Sequence, residues 1–486
     1  MKQGTAIKIM RSYTRITELP LSFFDHQPYL KKLHLDGMTN LASLPNSICM
    51  SKGLVKLSMF GCSKLESLPE EIGLLSLEIL DLSYCNIIDG GLPEDIGSLS
   101  SLKVLNLCGN KFEHLPRIIA QLGALEYLDL SDCKKLTQVP EDIGCLYSLE
   151  ELYLGGNNFE HLPQSISKLG AIRLLCLSYC KRLTQLPEDI GSLSSLKELH
   201  LRGNKFEHLP RSISQLGGLE YLDLSDCKRL TQLPEDIGCL SSLKELYLEG
   251  NNFEHLPRII AQLGALEYLD LSDCKRLTQL PEDIGCLSSL KELYLEGNNF
   301  EHFPRSIAQL GALQTLDLSH CKKLTQLPEF PHKLHAIYAD WRNDSFHDIF
   351  SSDSLSLRVF GSYLNDILSW FDYQGIGPSV SFNLPENWYV SDNFLGFVVC
   401  YYSVQIVCIT AHLIPLCDDG MLSMTQEIAL SNNPNKNDFD MCIQFLLMKF
   451  GVRLLYKDEA ELQTGIKKSK YEEEATCSSS KKQRQI

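Results

Sequence analysis

Residues 246–263 read LYLEGNNFEHLPRIIAQL, and residues 269–287 read LDLSDCKRLTQLPEDIGCL. With the residues that precede them, both fit one unit, LxxLxLxx(N/C)xxLxxLPxxIxxL. Thirteen such units open at positions from Leu30 to Leu313, with Ile172 standing in for leucine once. Steps between openings are mostly 23 or 24 residues, but two unit types alternate, so the true period is their sum. Cys133 to Cys180 spans 47 residues, and Asn204 to Asn251 also spans 47. A period of this size predicts a solenoid in which no unit buries its apolar face alone and each is stabilised by its neighbours.

The spacing is that of a leucine-rich-repeat solenoid of α/β class, with parallel strands on the concave face and mostly irregular or 3-10 segments on the convex side. Strand side chains alternate, so the last two leucines of LxxLxL point inward and the residues flanking the middle leucine point outward. The Asn or Cys that follows sits where the chain leaves the strand. An asparagine there bonds to backbone groups of adjacent turns, and cysteine is a small buried substitute. Seven of the eighteen cysteines occupy this one position, a pattern of buried thiols that fits a reducing compartment and excludes a nucleophile repeated in series. The proline after the next leucine fixes an extended return path.

Function is to be read on the outward strand positions, which stack at roughly 4.8 Å and form ladders across the concave face. The position before the second leucine runs Tyr127, Glu151, Leu174, Glu198, Tyr221, Glu245, Tyr268, Glu292. The position after it runs Asp129, Tyr153, Cys176, His200, Asp223, Tyr247, Asp270, Tyr294, Asp317. Tyrosine and carboxylate make a checkerboard, with Tyr268 expected between Glu245 and Glu292 and Tyr294 between Asp270 and Asp317. Rings give contact area at low entropy cost and carboxylates accept from arginine, so the face suits a basic, arginine-bearing protein. Recent copying of a 47-residue parent explains the same regularity with no selected surface. Leu174, Cys176, His200 and Arg202 break the pattern and distinguish one patch from its copies.

Other stripes carry less. His114, His161, His208, His255 and His302 recur, but equivalent units lie roughly 10 Å apart, too far to share a metal. The basic pairs Lys134-Lys135, Lys181-Arg182, Lys228-Arg229 and Lys275-Arg276 are expected to form a solvated rim opposed by the repeated Pro-Glu-Asp. A net charge of -16 over 486 residues opposes a nucleic-acid binder. The N-terminus shows no secretory signal, and Asn343 heads the only glycosylation sequon. No spacing specifies a nucleophile, metal or acid-base pair, and His332, His335 and His347 fit none, so neither an enzyme nor a cofactor is expected.

The period fails after LTQLPEFP, residues 324–331. The chain divides into a partial N-terminal repeat (1–29), the repeats (30–337), a jelly-roll-like β-sandwich (345–458) and a charged disordered tail (459–486). Phe394 to Cys417 has no Asp, Glu, Lys or Arg, yet its tyrosines, Gln405, His412 and Pro415 favour two buried strands over a membrane span. In the tail, Lys467-Lys468-Ser469-Lys470 and Lys481-Lys482-Gln483-Arg484 are candidate nuclear-import clusters in an otherwise cytoplasmic reading.

The alternating LxxLxLxxC and LPxxIGxL units resemble those of plant nucleotide-binding leucine-rich-repeat disease-resistance proteins. Trp370-Phe371, Gln374-Gly375-Ile376-Gly377, SVSFNLPENWY (379–389), Phe394-Leu395-Gly396-Phe397 and Gly451-Val452-Arg453-Leu454-Leu455-Tyr456 resemble the post-repeat domain of the TIR-bearing subclass. The resemblance implies recognition of a pathogen effector or a guarded host protein by the concave repeats and the post-repeat loops, with signalling restrained until binding. It also implies an upstream TIR and nucleotide-binding portion. No GxxxxGK[ST] phosphate loop occurs in these residues, so nucleotide switching and NAD cleavage are not carried over. A Ras-group leucine-rich-repeat scaffold is the competing reading. At the N-terminal end the first strand is expected to be degraded or absent, leaving Leu30, Leu33 and Leu35 poorly covered and residues 1–53 prone to fray or aggregate.

Overall fold

The computed structural model describes residues 5–8, 15–25, 29–324, 331, 333–334 and 336–339, together with the backbone of seven strands between Arg358 and Tyr456. The tail, its basic clusters and His332, His335 and His347 lie outside the described residues. Two compact units are present, Met1–Ser289 and Leu290–Ile486.

In the first unit twelve short strands, from Thr5–Lys8 to Tyr268–Asp270, pair in chain order. Each pairs in parallel with its neighbours, most of them only three residues long. Such strands have too few ladder bonds to stand alone, and the leucines on their inner side supply the rest. Leu222, Leu224, Leu246, Leu248, Leu269 and Leu271 are all fully buried, and burying a leucine is worth about 1.5–3 kcal/mol. The outward neighbours Tyr221, Glu245, Tyr247 and Tyr268 stay half-buried, as the alternation requires.

After each strand the chain returns through a proline and a single 3-10 turn. Pro257, at φ -64 and ψ 139, precedes the turn Arg258–Gln262, whose Ile260 is buried and donates its N–H to the Pro257 carbonyl at 3.0 Å. Proline suits this place because its φ is already set and no N–H is needed. In Cys units the turns press closely on the next turn: a Cβ on Gly238 would lie 2.3 Å from the Ile259 carbonyl oxygen. Glycine in Ile-Gly is therefore a packing requirement.

The ladder position behaves as its chemistry predicts. Asn204 donates through Nδ2 to the carbonyls of Leu177 at 2.9 Å and Leu201 at 2.7 Å, and Asn157 and Asn251 repeat the arrangement. Cys227 Sγ donates to that same Leu201 carbonyl at 3.3 Å. Each of the seven ladder cysteines makes this bond, and burial pushes the thiols of Cys133, Cys180, Cys227 and Cys274 up to about 12. These four are neutral donors rather than thiolates. Cys units also carry one more residue before the next core side chain: Leu230 lies three beyond Cys227, while Phe206 lies two beyond Asn204. A fully buried phenylalanine thus fills every second unit at Phe112, Phe159, Phe206 and Phe253.

Two expectations are corrected. The N-terminal strand is present: Thr5–Lys8 pairs in parallel with Leu30–His34, and Leu30, Leu33 and Leu35 are at most 1% exposed. Its LxxLxL motif is degraded, but a parallel backbone ladder needs no leucine to form. The second residue of each basic pair is matched by the glutamate of Phe-Glu-His in the preceding unit, not by Pro-Glu-Asp, while Lys228 and Lys275 reach Asp226 and Asp273 of their own turns. Arg229 meets Glu207 at 3.2 Å, and Lys135, Arg182 and Arg276 take Glu113, Glu160 and Glu254 in the same way.

In the second unit, Glu292–Tyr294, Thr315–Leu318, Ala336–Ala339 and Arg358–Phe360 pair in parallel. Two three-stranded antiparallel sheets follow in sequence. One is ordered Tyr373–Ile376, Lys449–Tyr456, Phe394–Tyr402, and the other Ser379–Asn383, Gln426–Asn432, Ile409–Pro415. Within the uncharged segment the described residues, Phe394–Tyr402 and Ile409–Pro415, are strand, and among the described residues no helix is long and apolar enough to cross a membrane.

Candidate protein-binding face

Both outward ladders form in register. Tyr127, Glu151, Leu174, Glu198, Tyr221, Glu245 and Tyr268 are successive strand partners, and so are Asp129, Tyr153, Cys176, His200, Asp223, Tyr247 and Asp270. In the second unit Glu292 and Tyr294 face Thr315 and Asp317.

Contacts within this grid run diagonally. The ring of Tyr221 lies 4.6 Å from that of His200 and 5.1 Å from that of Tyr247, and Tyr247 lies 4.7 Å from Tyr268, all centroid to centroid. One aromatic row therefore crosses four strands, and Tyr127 with Tyr153 at 5.3 Å repeats the contact further along. Tilted rings at these separations each add about 0.5–1.5 kcal/mol beyond buried area, so the row is ordered before any partner arrives.

The carboxylates fall into two groups. Glutamates serve the tyrosines: the hydroxyls of Tyr153, Tyr247 and Tyr294 donate to Glu151, Glu245 and Glu292 at 3.0, 2.8 and 2.8 Å. Burial first, then these bonds, hold the Tyr153 and Tyr247 hydroxyls well above their ordinary range. Aspartates serve the turn: Asp129, Asp223, Asp270 and Asp317 each accept the N–H of the serine two residues on, at 2.8–2.9 Å. Asp223 is only 8% exposed.

Arg202 leaves the grid. Its Nη2 reaches Asp226 Oδ2 at 2.9 Å and Glu249 Oε2 at 3.2 Å, on the turns that follow the next two strands. His200 Nε2 stands 3.4 Å from Glu198. The pattern-breaking residues thus share one patch, since Leu174 and Cys176 are the strand partners of Glu198 and His200.

Column reading missed a neighbouring feature. The residue before the ladder position is left-handed in unit after unit, as Gly203 at φ 73 and Gly250 at φ 70 show. Cys units place Asp132, Asp226 and Asp273 there, but Tyr84 and Tyr179 adopt it at φ 54 and φ 59 and are each 49% exposed. The Tyr179 ring covers Gly203, where a Cβ would lie 2.5 Å from it. Left-handed tyrosine is uncommon, and the signal available in the sequence was Tyr84 and Tyr179 at a place most other units give to Gly or Asp. Tyr84 also stands edge-on to exposed Phe60 at 5.7 Å.

A separate groove of about 690 Å³ opens away from the strands, lined by His114, Gln138, Glu160, His161 and Arg182 among others. Among the described residues no three His, Cys, Asp or Glu side chains are placed to hold a metal ion.

Comparison with known proteins bears on both halves of the chain. The C-JID domain family matches residues 364–461, and the leucine-rich repeat region family matches 72–155, 122–199 and 216–295. TMV resistance protein N of Nicotiana glutinosa is 35% identical over 91% of this chain. The chain belongs to the TIR-type nucleotide-binding leucine-rich-repeat family of plant disease-resistance proteins. It spans 31% of the length of the N protein, and it matches disease resistance-like protein DSC1 of Arabidopsis thaliana at 36% identity over 25% of this chain and 8% of that protein. Among solved structures, a leucine-rich-repeat protein of Leptospira interrogans aligns with TM-score 0.51 at 34% identity, covering 60% of this chain and 79% of its own. Toll in the Toll–Spatzle complex of Drosophila aligns with TM-score 0.58 at 19% identity, over 71% of this chain and 52% of that one, and shares the fold alone.

Proposed function

We propose that this chain is the protein-recognition portion of a plant innate immune receptor, which senses a pathogen effector or a guarded host protein through the concave strand face and restrains defence signalling until it does. The two antiparallel sheets after the repeats would stack as a sandwich and contribute loops to the same recognition. On this reading the chain has no turnover and binds no nucleotide by itself, acts in the cytoplasm, and takes its switch from TIR and nucleotide-binding portions such as the family carries.

The observation that carries the reading is the ordered aromatic row from His200 to Tyr268. An open, shallow face of half-exposed rings suits a macromolecule, because a small ligand needs a concave site that covers most of its surface. Tyrosine is also the residue type enriched among interface hot spots.

The test is a paired two-hybrid screen of secreted pathogen proteins and host cytosolic proteins. The wild-type chain and a variant with Tyr247, Tyr268 and Tyr294 changed to alanine are compared, each checked for its melting curve. An interactor lost in the variant supports the reading. Interactors that all survive in the variant contradict it.

A further inference from the structure

The acidic charge of the repeats is distributed unevenly between the strand entries, the returning loops and the concave grid. At the strand entries acid meets base in register: Lys103 reaches Glu126 at 2.8 Å, and Glu220 lies between Lys197 at 3.0 Å and Lys244 at 2.6 Å. Those two lysines hold the Glu220 carboxyl down at about 2. On the returning loops the Phe-Glu-His glutamates are matched, as Glu207 is by Arg229, while the Pro-Glu-Asp carboxylates form no ion pair among the described residues. Within the grid, Asp223, Glu245 and Asp270 form no ion pair with a lysine or arginine among the described residues, although the Lys244 charge acts on Glu245. Their bonds go to a serine N–H or a tyrosine hydroxyl. These carboxylates lie beside the rings, where partial burial strengthens their field.

One cation is already seated at the margin of this surface. Arg202 presents its guanidinium to two carboxylates, Asp226 and Glu249, and its charge also acts on Tyr179 and Tyr221. That arrangement of a planar cation, two acids and nearby phenols is how a guanidinium is bound in preference to an ammonium. Farther along the row, beyond the reach of the Arg202 ion pairs, the rings Tyr221, Tyr247 and Tyr268 stand beside Asp223, Glu245 and Asp270.

We propose that the concave face binds an arginine-bearing protein segment, its guanidinium groups lying on the Tyr221–Tyr247–Tyr268 row against Glu245 and Asp270, and that Arg202 closes one end of the site by occupying Asp226 and Glu249 in place of a ligand arginine. The proposal rests on the concave face being the recognition surface and adds the partner's chemistry and the position of its end. Lysine fills the role poorly, because its compact, strongly hydrated ammonium neither stacks on a ring as a plane nor bridges two acids as a fork.

The probes are fluorescently labelled nona-arginine and nona-lysine peptides, titrated into the full chain at physiological salt and read by anisotropy. Nona-arginine should bind about tenfold more tightly than nona-lysine, as stacked guanidinium contacts require. Changing Tyr221 and Tyr247 together to alanine should erase that preference, and Tyr247→Phe, which keeps the ring and releases Glu245, should retain it even if the double variant unfolds. Arg202→Ala should tighten nona-arginine binding about threefold by freeing Asp226 and Glu249 for a ligand guanidinium. Equal affinity for the two peptides overturns the guanidinium chemistry, and unchanged binding in Arg202→Ala overturns the closed end. A protein partner that loses binding in the tyrosine variants while the two peptides bind alike leaves the recognition face standing and removes only this proposal.

Discussion

The ring of Tyr247 lies 4.7 Å from the ring of Tyr268, tilted by 33°, although the two residues belong to different columns of the repeat. In register Tyr247 faces Asp270, and Tyr268 faces Glu245. The contact is diagonal, and it converts a checkerboard of alternating residues into a continuous row. The Tyr247 hydroxyl is bonded to Glu245 at 2.8 Å, but the contact with Tyr268 is made by the ring itself. The row therefore depends on rings more than on hydroxyls. Tyr247→Phe should keep the melting temperature and partner affinity near wild type, and Tyr247→Ala should weaken binding by about 2 kcal/mol if the ring is a hot spot. Equal losses in the two variants, measured by calorimetry, would assign the effect to the hydroxyl.

The ladder position makes an asymmetric prediction. Asn204 serves two carbonyls, Leu177 and Leu201, while Cys227 serves one that Asn204 already serves. Removing the asparagine amide leaves the Leu177 carbonyl without that donor in the buried interior, a cost of about 1–3 kcal/mol. Asn204→Ala should thus destabilise the array more than Cys227→Ala, whose cost is the lost thiol contact and a small void. Urea melts of the two variants check the order, and a reversed order would refute this account of the ladder.

Backbone handedness gives a pair of opposite effects. Gly203 has φ 73 and the Tyr179 ring within 2.5 Å of a Cβ placed there, so Gly203→Ala meets both left-handed strain and a clash. A loss of about 1–2 kcal/mol is expected. Asp132, at φ 56, already bears the left-handed cost, and Asp132→Gly should stabilise by up to about 1 kcal/mol. Thermal melts read both, and a destabilised Asp132→Gly would show that its carboxylate has a structural role.

Stability should fall on the alkaline side. Burial raises the thiols of Cys133, Cys180, Cys227 and Cys274 from 9.0 to about 12, and Tyr127 and Tyr221 from 10.0 to about 12, with neighbouring carboxylates adding to the tyrosine shifts. For a group whose folded value lies above its unfolded value, the neutral form is favoured by folding. Its contribution is complete below the unfolded value and is lost as pH rises towards the folded one. The melting temperature should be level through neutral pH and drop between about pH 9 and pH 12, more shallowly in Cys227→Ala. A flat profile across that window would contradict the buried-thiol account.

Strand positions, inward leucines and column register were legible because the 47-residue period repeats them often enough to align by eye, and strand alternation then assigns each column a face. Three features were not. Diagonal ring contacts join different columns, so no comparison within one column reveals them. The partner of Arg229 is Glu207 rather than the repeated Pro-Glu-Asp, because loop path and not sequence proximity sets which charges meet. The strand Thr5–Lys8 lacks the leucine motif, and backbone pairing with Leu30–His34 does not require it. The Asn and Cys ladder was legible since its hydrogen-bonding needs follow from side-chain chemistry alone.

The central claim is that the concave aromatic row is a protein-binding face. The most direct test is titration calorimetry of an interacting protein against the wild-type chain and the variant with Tyr247, Tyr268 and Tyr294 changed to alanine, the fold of both verified by their melts. The account predicts a loss of more than about 2 kcal/mol in binding with the melting transition retained. An affinity equal to wild type in a folded triple variant would contradict it.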